Sequence, residues 1–171
     1  MNISLQEFGW LVLDFDGVFT DNKVYVSESG QETVCCNRGD GLGLNILRNW
    51  LGRNNIQLET LIISTEKNMV VSARAKKLGV KCMQGIEDKA RCVKDIKRSD
   101  ATDSKIVFIG NDLNDIEAMR LCDYVACPRD AHPWVKQESD LILNSKGGEG
   151  CIREFIEKVL KLDKEEAIGL L

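Results

Sequence analysis

The sequence contains no basic stripe, no CxxC pair, no low-complexity tract and no internal repeat, and it has a single histidine. Its 23 basic and 27 acidic side chains, a net charge of -4, are mixed along the chain. Nothing in that pattern follows a nucleic-acid backbone, so no nucleic-acid partner is expected. No segment approaches the roughly 18–20 apolar residues a membrane-spanning helix needs, and no basic stretch with an apolar run behind it opens the chain. An unexported protein without a membrane partner is expected. Cys35, Cys36, Cys82, Cys92, Cys122, Cys127 and Cys151 form an odd set without metal-site or redox spacing. Several lie in apolar runs, where a reduced thiol packs as a small hydrophobe, which fits a cytoplasmic location. His132 precedes Pro133 in an expected turn and reads as a structural hydrogen-bond partner.

What is present is enough for a buried core. With 171 residues, 43% hydrophobic and 29% charged, the chain is expected to form one domain over 1–171. Apolar strand patterns at 58–64, 80–84, 105–110, 124–128 and 141–144 alternate with helical periodicity at 39–51, 67–79, 87–98, 112–121 and 149–162, with a helical turn at 132–136. The order predicts an α/β fold of three layers, a Rossmann-like parallel sheet between helices joined by right-handed crossovers. Residues 23–37, which alternate around Ser27–Gly30, predict a β-hairpin inserted after the first strand.

The first strand, within WLVLDFDGVFTD (10–21), ends in two carboxylates, Asp14 and Asp16, then Gly17. Carboxylates so close repel unless a cation, a shared proton or hydrogen bonds compensate, and Mg²⁺ is the natural compensation. Ligands of such sheets sit at the carboxyl ends of the strands. The other residues expected there are Ser64, Lys89 and the run GNDLND at 110–115. Together they supply what phosphoryl transfer requires: a nucleophile, a proton donor, a hydroxyl, a compact positive charge and hard oxygen ligands. Asp112 and Asp115, three apart on the expected helix, are read as sharing one face.

LDFDGVFTD, LIIST, EDK and IGNDLNDIEAM, in this order and spacing, resemble the four motifs of the haloacid dehalogenase superfamily of phosphohydrolases. The resemblance implies Asp14 as nucleophile, Asp16 as acid/base and Ser64 with Lys89 as the phosphate-holding pair. It implies Mg²⁺ bound by Asp14, the Asp16 carbonyl and the fourth motif. There Asn111 stands where an aspartate is usual, so either Asn111 ligates directly or Asp112 does, with Asp115 orienting.

Neither usual insertion point has room for a cap domain. The hairpin, the NRGDGLG segment (37–43) and the missing lid resemble the small lidless members, homotetramers whose neighbouring subunits complete each active site. These act on phosphorylated sugar acids, Kdo 8-phosphate or the nine-carbon KDN and N-acylneuraminate 9-phosphates, and similar domains are fused behind CMP-sialic acid synthetases. The Kdo branch typically carries Thr-Gly-Arg at the second motif. Ser64-Thr65-Glu66 here resembles the nine-carbon branch, with Glu66 meeting sugar hydroxyls. Thr65, Gly17, Lys77 and, across a subunit boundary, Arg38 are the further substrate contacts so implied. Residues 161–171 read either as a frayed helix or as a tail packed over a neighbour's active site.

Overall fold

The structure is a computed structural model that describes residues 3–99 and 104–171. Its centre is β1 (Phe8–Leu13). A two-stranded ribbon, β2 (Tyr25–Val26) and β3 (Glu32–Thr33), leads to α1 (Arg38–Asn54). Then come β4 (Glu59–Ile63), α2 (Val70–Leu78), β5 (Lys81–Met83), α3 (Lys89–Ser99) and β6 (Lys105–Ile109). After a single 3-10 turn at Leu113–Asp115 the chain continues through α4 (Ile116–Met119), β7 (Tyr124–Cys127), α5 (Pro133–Glu138), β8 (Leu141–Ile142), α6 (Cys151–Leu160) and α7 (Lys164–Gly169).

The six-stranded sheet has the order β5-β4-β1-β6-β7-β8 and every pairing in it is parallel. Strand order therefore reverses at β1. Side chains leave a strand on alternate faces. Leu11, Leu13, Ile62, Val107 and Ile109 accordingly pack with residues of α1, α2 and α6, while Val12, Leu61, Ile63, Ile106 and Phe108 pack with α3, α4 and α5. Burying each such side chain contributes about 1.5–3 kcal/mol, which makes the register of β1 hard to shift.

Only the ribbon separates β1 from α1, and only α2 separates β4 from β5, so neither connection carries a cap domain. The ribbon is shorter than the alternation implied. It closes through Ser27 and Gly30 and is tied at its base by a Thr20–Cys36 bridge. The 112–121 helix is also corrected. Asp112 has extended backbone (φ -134°, ψ 177°) and caps the 3-10 turn, so it cannot share a helical face with Asp115. At the C-terminus, α7 packs on this chain's own α1. Leu170 is buried, Asn49 Nδ2 donates to the Leu170 carbonyl at 2.7 Å, and Arg53 donates to the Gly169 carbonyl.

Candidate active site

Asp14 extends β1 by one hydrogen bond, its amide donating to the Ile109 carbonyl at 2.9 Å, and is thereby carried into the carboxyl edge of the sheet. The chain then turns sharply. The Phe15 carbonyl accepts from the amides of Val18, Phe19 and Thr20, and the Phe15 and Phe19 rings, both buried, stack with centroids 5.6 Å apart. Thr20 Oγ1 accepts from the Gly17 and Asn22 amides, each at 3.2 Å. Two aromatic anchors and one hydroxyl thus fix where Asp16 stands. Gly17 adopts φ +80°, and a Cβ there would lie 1.9 Å from Asn111 Nδ2.

Lys89, the first residue of α3, is 2% exposed. Its Nζ donates to Asp14 Oδ1 at 2.6 Å and to Asp115 Oδ1 at 2.7 Å. The other oxygen of Asp115 accepts from the amides of Asn111 (2.9 Å) and Asp112 (3.2 Å). Burial, then the Asp115 charge, push the Asp14 carboxyl up to about 8 against the pull of Lys89. Burial works against the Lys89 ammonium, yet Asp14 and Asp115 outweigh it and hold its pKa above the usual lysine value. The Asp16 carboxyl is also raised, by burial and then by the Glu66 charge.

Ser64 closes β4 with 1% exposure, its amide donating to the Met83 carbonyl at 2.9 Å and its hydroxyl accepting from the Glu66 amide at 3.0 Å. Glu66 lies in the electrostatic surroundings of Asp16, but its Oε1 accepts from the Asn68 amide at 2.7 Å, short of the start of α2. The carboxylate read as free for a sugar therefore also caps a turn. Thr65 is exposed. Arg38 and Lys77 lie elsewhere on this chain. With Arg48 and Arg74 they line a groove of about 400 Å³ between α1 and α2 whose walls include neither Asp14 nor Asp16.

Among the described residues no three His, Cys, Asp or Glu side chains converge on a metal position. Asp115 is bound by Lys89 and two amides, and Asp112 is exposed with its Oδ1 accepting from the Leu113 amide at 2.7 Å. Asn111 differs. It is 7% exposed, and its side-chain oxygen is buried without a hydrogen-bond partner. An orphaned buried oxygen next to Gly17, one residue after Asp16, fits a hard cation of the Mg²⁺ class.

Two supports escaped the sequence reading. Gly147 and Gly148 press on the Gly17–Asp21 turn. A Cβ on Gly147 would meet the Gly17 carbonyl at 2.0 Å, and the Gly148 amide donates to the Val18 carbonyl at 3.0 Å. The Gly-Gly dipeptide was the available signal. His132 plays the structural part expected of it, its amide donating to the Asn111 carbonyl at 2.8 Å and its Nδ1 accepting from Trp134 N at 3.2 Å.

A doubly wound parallel sheet whose carboxyl edge carries paired aspartates, a buried lysine and an oxygen-rich loop brings together the groups that hydrolysis of a phosphate ester uses. The model of the haloacid dehalogenase-like hydrolases matches residues 53–156, and the chain belongs to that family. It is a phosphatase of the family. The 3-deoxy-D-manno-octulosonate 8-phosphate phosphatase of Salmonella typhi is 31% identical over 160 residues, 90% of this chain and 82% of that protein. Among solved structures, a haloacid dehalogenase family hydrolase from Streptomyces avermitilis superposes with a TM-score of 0.85 at 34% identity, covering 96% of this chain and 95% of that one. The 3-deoxy-D-manno-octulosonate 8-phosphate phosphatase of Moraxella catarrhalis, solved with a magnesium ion, a phosphate ion and KDO, gives 0.82 at 25% identity, with 96% and 92% covered. The N-acylneuraminate cytidylyltransferase A of Danio rerio is 29% identical over 156 residues, but the chain spans only 35% of that protein's length.

Proposed function

We propose that this protein hydrolyses the phosphomonoester of a phosphorylated 2-keto-3-deoxy sugar acid through a covalent intermediate on Asp14. The observation that carries the reading is the Lys89 ammonium held between Asp14 and Asp115, with Asn111, whose amide Asp115 also holds, keeping an orphaned buried side-chain oxygen. In the first step an Asp14 oxygen bonds to phosphorus as the bond to the sugar oxygen breaks, and Asp16 gives that oxygen its proton. Asp16 then takes a proton from water, whose oxygen attacks phosphorus, freeing phosphate and restoring the Asp14 carboxylate. The raised Asp16 carboxyl suits a group that must first donate. Ser64 and Lys89 hold the phosphate oxygens, with the Gly17 turn beside them. Asp14, the Asp16 carbonyl and Asn111 would hold Mg²⁺, Asp112 pointing outward and Asp115 orienting Lys89. When bound, the ion draws charge from the phosphate oxygens.

For the sugar, Glu66 beside Asp16 favours hydroxyls over a carboxylate, which supports KDN or N-acylneuraminate 9-phosphate. Thr65 adds a hydroxyl at the same edge. The substrate's carboxylate then needs positive charge from outside the subunit's own aspartate cluster. The Arg38, Arg74 and Lys77 groove of a neighbouring copy offers it. Val24, Tyr25 and Val26 of the ribbon are 53%, 64% and 61% exposed, an apolar strip that supports assembly into a homotetramer with shared sites. Kdo 8-phosphate is the second reading and the one the relatives favour, by the names of the Salmonella typhi and Moraxella catarrhalis phosphatases. A non-catalytic assembly module of sialic acid activation is the third, supported by the match within the cytidylyltransferase.

Phosphate release from the three sugar phosphates with Mg²⁺, beside Asp14→Asn, tests all of these. Faster turnover of a nine-carbon ester supports the first reading and faster Kdo 8-phosphate turnover the second. Release no greater than that of the variant leaves the module.

A further inference from the structure

The NRGDGLG segment, whose Arg38 is assigned above to the substrate's carboxylate, also contains a fully buried carboxylate that the chemistry does not use, Asp40, in the first turn of α1. Asp40 Oδ1 accepts from the Arg153 amide at 3.0 Å, 113 residues away, and the Ile152 amide also faces the carboxyl. These are N-terminal amides of α6, which a helix cannot satisfy internally. The residue before α6 is Gly150, at φ 93°, which has no side chain to supply the cap. Asp40 therefore caps α6 from another helix. The close approach this needs is built into the same segment, since a Cβ on Gly43 would lie 2.8 Å from Arg153 Cα.

The start of α6 bears directly on the catalytic turn. Cys151 Sγ donates to the Val18 carbonyl at 3.3 Å, and that carbonyl also accepts from the Gly148 amide. Gly147 leaves no space for a Cβ against the Gly17 carbonyl. Val18 and Gly17 immediately follow Asp16. We infer that Asp40 is a positioning residue: by capping α6 it holds the 147–151 segment against the Gly17–Asp21 turn and so aims the Asp16 carboxyl at the leaving oxygen. The inference rests on the acid/base role proposed for Asp16.

A group that aims the acid matters most when the leaving oxygen is basic. Sugar alkoxides need the proton, whereas p-nitrophenolate hardly does. The test uses the full chain with Mg²⁺, p-nitrophenyl phosphate and whichever of the three sugar phosphates the native protein turns over fastest. Asp40→Ala should lower kcat on the sugar phosphate by about tenfold or more and on p-nitrophenyl phosphate by less than about threefold, with KM little changed. Asp40→Asn, which keeps an acceptor oxygen, should recover most of that loss. Amide hydrogen exchange at 17–21 should quicken in Asp40→Ala and return toward native in Asp40→Asn. If Asp40→Ala does not fold, Cys151→Ala, which removes one downstream link, must show the same leaving-group selectivity in smaller measure. Equal losses on both esters, or unchanged exchange at 17–21, overturn the inference. A native protein that hydrolyses none of the esters overturns the phosphatase chemistry instead, and the exchange measurement still decides whether Asp40 orders the turn.

Discussion

Gly17 and Asn111 occupy space that two ordinary residues could not share: the position of a Gly17 Cβ lies 1.9 Å from Asn111 Nδ2 and 2.5 Å from its Cγ. Gly17→Ala must therefore displace the amide and also force a methyl side chain into φ +80°, a left-handed conformation that costs about 1–2 kcal/mol by itself. The expected outcome is a fall in kcat/KM of about tenfold or more with a smaller loss of thermal stability, read from steady-state kinetics beside calorimetry.

Lys89→Met keeps the length of the side chain and removes its charge. Asp14 and Asp115 would then face each other buried and unpaired, and breaking a buried ion pair from one side costs about 3–5 kcal/mol. Activity should be lost and the denaturant midpoint lowered. Adding Asp115→Asn should recover part of the stability and none of the activity, because the buried Asp115 charge that lost its cation is gone.

Asn111→Asp places a carboxylate where the structure leaves a buried oxygen without a partner. Mg²⁺ affinity measured by calorimetry should rise in that variant and fall by about tenfold or more in Asn111→Ala. Asp112→Ala, which removes an exposed capping oxygen, should leave Mg²⁺ affinity within about twofold of native while costing roughly 1 kcal/mol of stability.

Asp40 sets a pH dependence of folding. Burial pushes its carboxyl up to about 6 from 3.8, although the Arg153 and Ile152 amides and the charges of Arg74 and Arg153 pull it down. The folded state thus binds the Asp40 proton more tightly than the unfolded chain does. The stabilisation is complete below about pH 4 and is lost as pH rises through 6, an effect on the order of 3 kcal/mol. Asp40→Asn has no such proton. The melting temperature of the native protein relative to this variant should fall between pH 4 and pH 7, and a constant difference would contradict the assignment.

The sheet was legible because its cues are local. Strands such as KIVFI carry their apolar run within a few residues, and the strand ends then place Asp14, Ser64 and Gly110 at one edge by topology alone. Helix limits were less legible. The helix read over 67–79 begins only at Val70, because just before it Glu66 spends its carboxylate on the Asn68 amide in a turn. The Asp112–Asp115 pair failed for a related reason, since a capping aspartate leaves helical geometry and so loses the helical spacing.

Chain order and residue type were sufficient for the parallel sheet, the insertion after β1 and the identity of the residues gathered at its carboxyl edge, because periodicity and strand-end position are properties of neighbours in sequence. Which atoms meet was decided in three dimensions. The tertiary structure spends Asp115 on Lys89, leaves the Asn111 oxygen open, turns Arg38 and Lys77 into a groove apart from the aspartates and sets Asp40 on the end of α6. Each of those outcomes depends on burial and on partners remote along the chain, where a hydrogen bond is worth making only because packing has already excluded water.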